Sequence, residues 1–163
     1  MRRRTFVGAV GTSALATPSG CLSPTTLGSE ATPEPSTRRE ADGLTAVVDD
    51  VSYAGTASGD ESVTGSFDCE AATATLAGRL STSSCRTVAI SELSVDPEAG
   101  SARLVVYPKW DEERSPAEID CAGATYEYRI RLEATDELPD GVKVVHERPD
   151  GDDPLRLSLA SDC

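Results

Sequence analysis

Lysine is almost missing from this chain: Lys109 and Lys143 stand against 13 arginines. Histidine and tryptophan occur once each, phenylalanine twice and tyrosine four times in 163 residues. No apolar run approaches the ~18 to 20 residues of a membrane-spanning helix, which excludes a polytopic membrane protein. A glycine-rich phosphate loop and a Gly-x-Ser-x-Gly nucleophile elbow are also missing, so neither nucleotide-binding nor α/β-hydrolase chemistry has a signature here. Positive charge is scarce as well: 15 Lys plus Arg face 28 Asp plus Glu, for a net −13. Residues 1–20 hold three Arg and no acid, so the remaining 12 bases against 28 acids leave −16. That field repels phosphate backbones, and no nucleic-acid partner is expected.

The acids are spread along the whole chain instead of forming one tail. Dense surface carboxylates of this kind hold hydrated cations and keep a protein soluble in molar salt. A GC-rich genome, which favours Arg over Lys, is the alternative source of the same composition.

At the N-terminus, Met1-Arg2-Arg3-Arg4 precedes a weakly apolar run from Val7 to Ala16 broken by Gly8 and Gly11, the layout of a targeting segment. Arg3-Arg4-Thr5-Phe6-Val7 resembles the twin-arginine export signal, which implies export of an already folded domain. The following Pro18-Ser19-Gly20-Cys21 resembles a lipobox, in which the Cys becomes lipidated and N-terminal after cleavage; the pattern usually has Leu where this chain has Pro18. Over its whole length the sequence resembles the small, acidic, exported lipoproteins of haloarchaea. The resemblance implies a signal peptide over 1–20, lipidation at Cys21, and attachment to the outer face of the cytoplasmic membrane. Residues 21–43, rich in Ser, Thr, Pro and Glu, cannot bury enough apolar surface to offset their ordering entropy and are expected to form a disordered tether.

With Cys21 set aside, Cys69, Cys85, Cys121 and Cys163 form an even set suited to two disulfides in an oxidising compartment. Their spacings contain no Cys-x-x-Cys pair, which argues against zinc.

From 44 to 163 the periodicity is that of strands. In Ala124–Glu133 every even position is apolar or aromatic and every odd one polar, so one face is buried and the other wet. Shorter runs cover Leu44–Ser52, Ala71–Leu80, Arg86–Val95, Ser101–Tyr107, Gly141–Glu147 and Leu155–Ala160, separated by turns such as Asp96-Pro97-Glu98-Ala99-Gly100 and Leu138-Pro139-Asp140-Gly141. Seven such strands predict an all-β, antiparallel β-sandwich of immunoglobulin-like or fibronectin-like architecture, with a small β-barrel as the alternative. If the strands alternate up and down, Cys69 and Cys85 stand at opposite ends of one strand, roughly 30 Å apart. A disulfide needs Cα atoms within ~7 Å, so alternation pairs Cys69 with Cys163 and Cys85 with Cys121.

Few residues carry chemistry. His146, at the end of a strand run, is expected to have a hydrogen-bonded or solvated ring. Trp110, with Lys109 and Arg114 nearby, lies in the longest irregular connection within the second half of the domain, from Pro108 to Asp120. It is expected either to bind a partner or to fold down as a lid over the open end of the sandwich. Asp111, Asp150, Asp152 and Asp153 could offer oxygen ligands to Ca²⁺, although no EF-hand spacing is present; no other cofactor is expected. Tyr126 and Tyr128 fall on the apolar side of their strand and belong to the core.

The expected function is a lipid-anchored, extracytoplasmic, non-catalytic module that binds a surface protein or small ligand, or serves the envelope structurally. The alternative is a hydrolase, or an accessory subunit of a surface enzyme, using a metal or a carboxylate pair such as Glu127 with Glu133. Those two lie roughly 20 Å apart along one strand, against the ~5 to 9.5 Å of paired glycosidase carboxylates.

Overall fold

The computed structural model describes residues 34–113, 121–150, 152 and 154–163. The twin-arginine and lipobox-like motifs with Cys21, and the candidates Arg114 and Asp153, lie outside them.

Among the described residues nine strands are formed: β1 (Arg38–Ala41), β2 (Leu44–Thr56), β3 (Ser62–Asp68), β4 (Thr73–Ser83), β5 (Arg86–Asp96), β6 (Ser101–Trp110), β7 (Gly123–Ala134), β8 (Gly141–His146) and β9 (Leu155–Ala160). They make a five-stranded sheet in the order β1-β2-β7-β4-β3 and a four-stranded sheet in the order β5-β6-β8-β9. The sheets do not close into a barrel; the fold is a β-sandwich.

The seven expected runs correspond to β2 and β4 through β9. Sequence reading missed β1 and β3. β1 lies within the stretch 21–43 expected to be tether, so the folded part begins ahead of Leu44. Arg38-Arg39-Glu40-Ala41 has little to bury, but it pairs antiparallel with Leu44–Val47 across the two-residue turn Asp42-Gly43. Both turn residues have positive φ, 45° and 79°, as a hairpin turn matched to strand twist requires.

The strand pairing also departs from the purely antiparallel sandwich expected. Every hydrogen-bonded pair is antiparallel except β6 with β8, which run parallel with Ser101 opposite Gly141. The chain crosses to the other sheet as β7 between them, and a strand taken out of the sheet leaves its flanking neighbours pointing the same way.

The core lies between the sheets. Alternation on β7 turns Ala124, Tyr126, Tyr128, Ile130 and Leu132 inward and leaves Glu127, Arg129 and Arg131 exposed. Leu76 and Leu80 from β4, Ile90 from β5, Leu104 and Val106 from β6, and Val142 and Val144 from β8 complete it. Each such side chain contributes about 1.5 to 3 kcal/mol on full burial.

The sandwich is fastened along both lateral edges. On one, Ser36 and Ile90 exchange backbone hydrogen bonds of 2.9 and 2.7 Å, tying the segment before β1 to β5. On the other, where β3 and β9 are the edge strands, Cys69 and Cys163 form a disulfide with Cα atoms 5.5 Å apart. The second disulfide, Cys85 with Cys121, joins the β4–β5 turn to the start of β7. These are the pairs that strand alternation led to.

Candidate functional site

Two clefts lie at opposite ends of the strands. One, about 390 Å³, is formed where β2, β6 and β8 begin; its charged residues are all acidic: Asp42, Asp96, Asp136, Glu137 and Asp140. The other, about 530 Å³, lies where β4, β6 and β8 end, and it combines three kinds of group: an indole, guanidinium groups and carboxylates. A site that recognises a ligand by orientation needs this mixture, so the second cleft is the candidate.

Trp110 is the last residue of β6 and so stands on a strand, not in the irregular connection expected from Pro108 onward. It is directly opposite Arg86 on β5. The Arg86 guanidinium lies over the indole, 5.9 Å from the ring centroid, and its Nη1 donates to the Pro108 carbonyl at 2.8 Å. The hydrogen bond holds the guanidinium in place, and cation–π attraction draws the indole to it. Trp110 remains 43% exposed, so it is not a buried lid.

Asp150 and Asp152 line the same cleft, as do Arg148 and Glu61. Lys109 and Asp111 do not; they border an adjoining groove of about 560 Å³ along β5 and β6, in which Trp110 also takes part. The structure therefore brings Trp110, Asp150 and Asp152 to one cleft and places Asp111 in the next. Among the described residues no three His, Cys, Asp or Glu side chains converge on a point where they could hold a metal ion.

The His146 ring is hydrogen-bonded, one of the two states expected of it, but sequence reading missed its partners. His146, fully buried at the end of β8, accepts at Nε2 from the Tyr128 hydroxyl at 2.7 Å and donates from Nδ1 to Glu61 Oε2 at 3.1 Å. An ionised carboxylate can only accept, which assigns the imidazole proton to Nδ1 and leaves Nε2 free to accept. Glu61, just ahead of β3, has a side chain only 4% exposed. Burial holds the His146 pKa below its usual value; the Glu61 hydrogen bond and charge oppose that shift and the Arg148 charge adds to it. Burial, with Glu61 nearby, pushes the Tyr128 phenol well above its usual range. The chain Tyr128–His146–Glu61 thus crosses from one sheet to the other and back, and Glu61 then forms part of the cleft wall. Nothing in the sequence near Glu61 signals this contact, because 85 residues separate it from His146.

Glu127 and Glu133 are each engaged on the outer face of the five-stranded sheet, Glu127 by Arg79 at 3.6 Å and Glu133 by Arg131. Arg131 also reaches Asp49 at 3.1 Å. Comparison with family models, curated proteins and solved structures finds no match to this chain. The chemistry of the cleft has to be read from its own residues.

Proposed function

We propose that this protein is a non-catalytic binding module, exported and held at the outer face of the cytoplasmic membrane through lipid on Cys21, that captures a small polar ligand or an envelope component in the Trp110 cleft. One observation carries the reading: a single, partly exposed indole, fixed by Arg86, stands at a cleft that also presents Arg148, Asp150 and Asp152. Rigid, partly exposed aromatic groups supply contact area at small entropic cost, and polar groups around them set orientation. The two disulfides point to an oxidising, extracytoplasmic environment, which favours export. The arginine cluster ahead of Cys21 favours the anchored form.

A thermal-shift screen of polar small molecules and envelope polymers tests the reading. Ligands of the cleft raise the melting temperature of the wild type, leave Trp110→Ala unmoved, and are recovered chemically unchanged. Recovery of a hydrolysed product would replace the binding reading with the enzymatic one. Cys21→Ser should release the protein from the membrane fraction into the medium; an unprocessed protein that stays in the cytoplasm would remove the export reading.

A further inference from the structure

Resting on the binding reading, we infer that the Trp110 cleft takes a neutral saccharide unit. Its charges are of both signs, so neither an anion nor a cation finds only favourable partners there. An anion entering the cleft meets Asp150, Asp152 and Glu61 within a chain of net charge −13, and a cation meets Arg86 and Arg148. A neutral group that both donates and accepts suits both signs at once: a sugar hydroxyl donates to a carboxylate and accepts from a guanidinium. Ser81 and Ser83 add hydroxyls of the same dual character to the wall.

The indole supplies the remaining requirement. One face of a pyranose ring is lined with C–H groups, and an exposed aromatic surface held in one orientation matches it. Arg86 provides that orientation from the facing position on β5. The volume of about 530 Å³ also lies within the ~300 to 1,000 Å³ of small-ligand sites. Glu61 belongs to the wall with one of its oxygens held by His146 Nδ1 from within the core.

Trp110 is the only tryptophan of the chain, so its emission reports binding at the indole, and Arg148 and Asp152, which line this cleft and not the adjoining groove, assign the response to the cleft. The mature wild-type protein, in molar salt, is titrated with glucose-, mannose- and galactose-based tetrasaccharides, with sodium phosphate, and with spermidine. The expected result is a saturable emission change with at least one neutral tetrasaccharide. Its affinity holds between 1 and 3 M salt and falls ten-fold or more in both Arg148→Ala and Asp152→Asn, measured by calorimetry on variants with wild-type melting temperatures. No saturable response to any of the neutral tetrasaccharides overturns the saccharide assignment. A saturable response to phosphate or spermidine alone overturns it as well, while leaving the binding reading in place. Failure of the whole thermal-shift screen, by contrast, removes the binding reading itself.

Discussion

The Tyr128 hydroxyl meets His146 Nε2 at 2.7 Å across the space between the two sheets, in a core built mostly from aliphatic side chains. A hydrogen bond in that position is specific, because neither partner has water to turn to. Tyr128→Phe keeps the ring and removes the donor, leaving Nε2 buried and unsatisfied. The expected cost is about 1 to 3 kcal/mol in chemical denaturation. A loss below the error of the measurement would mean that water replaces the hydroxyl.

The same site sets a pH dependence. His146 has its pKa lowered in the folded state, chiefly by burial, so between the folded value and the unfolded value of about 6.5 the unfolded chain binds a proton that the folded chain refuses. Stability is therefore fully present above about pH 6.5 and is lost as pH falls from there toward the folded pKa. The groups that act on His146 are Glu61, Tyr128 and Arg148. Urea midpoints measured from pH 7.5 to 5 should decline for the wild type and decline less for His146→Gln, which cannot charge. Parallel curves for the two proteins would remove His146 as the source.

Gly78 faces Tyr128 across the β4–β7 pair, and a Cβ at that position would stand 2.3 Å from Tyr128 Cζ and Oη. Its lack of a side chain is what allows the phenol to reach His146. Gly78→Ala should destabilise by about 1 to 3 kcal/mol through overpacking. In Tyr128→Leu, where the far end of the ring is gone, the same change should cost much less. A double-mutant cycle reads this directly: additive losses would show that the two positions do not compete for space.

The sandwich was legible where apolar and polar residues alternate strongly, as on β7, and where turns carry Gly and Pro, as at Asp96–Gly100. β3 was missed because its inward positions are Val63, Gly65 and Phe67, interrupted by a glycine. Added at Gly65, a Cβ would sit 3.1 Å from Leu159 Cδ1, so the gap in the pattern leaves room for the other sheet. β1 had a readable signal, the Asp42-Gly43 turn, obscured by the polar composition around it. The parallel pairing of β6 with β8 had none, because it depends on which sheet β7 joins. At the cleft, Trp110, Asp150 and Asp152 were legible as residue types. Arg86, Arg148 and Glu61 were not, since their roles arise only when strand ends distant in sequence meet.

Charge sets the response to salt. With a net charge of −13, carboxylates spread over the surface repel one another at low ionic strength and act against the compact state. At about 0.1 M the Debye length is ~10 Å, and at 1 M ~3 Å, so screening should remove most of that repulsion. The melting temperature should rise steadily as salt increases from about 0.1 M to molar concentrations. A flat or falling curve would attribute the acid-rich, Lys-poor composition to genome bias instead of salt adaptation.

The two disulfides should contribute unequally. Cys69 and Cys163 are 94 residues apart, Cys85 and Cys121 only 36. In the chain-entropy model the longer loop restricts the unfolded ensemble more, and removing the links costs about 4 to 5 and about 3 to 4 kcal/mol respectively. The longer link also fastens the edge where β3 and β9 meet, whereas the opposite edge has the Ser36–Ile90 backbone hydrogen bonds. Replacing Cys69 and Cys163 together by Ser should therefore destabilise more than replacing Cys85 and Cys121, and it should expose the β3 and β9 backbone amides to hydrogen exchange while those of β5 stay protected. Equal exchange at both edges would show that the sandwich opens as one unit, and a Cys69–Cys85 peptide in a non-reducing map would contradict the strand order itself.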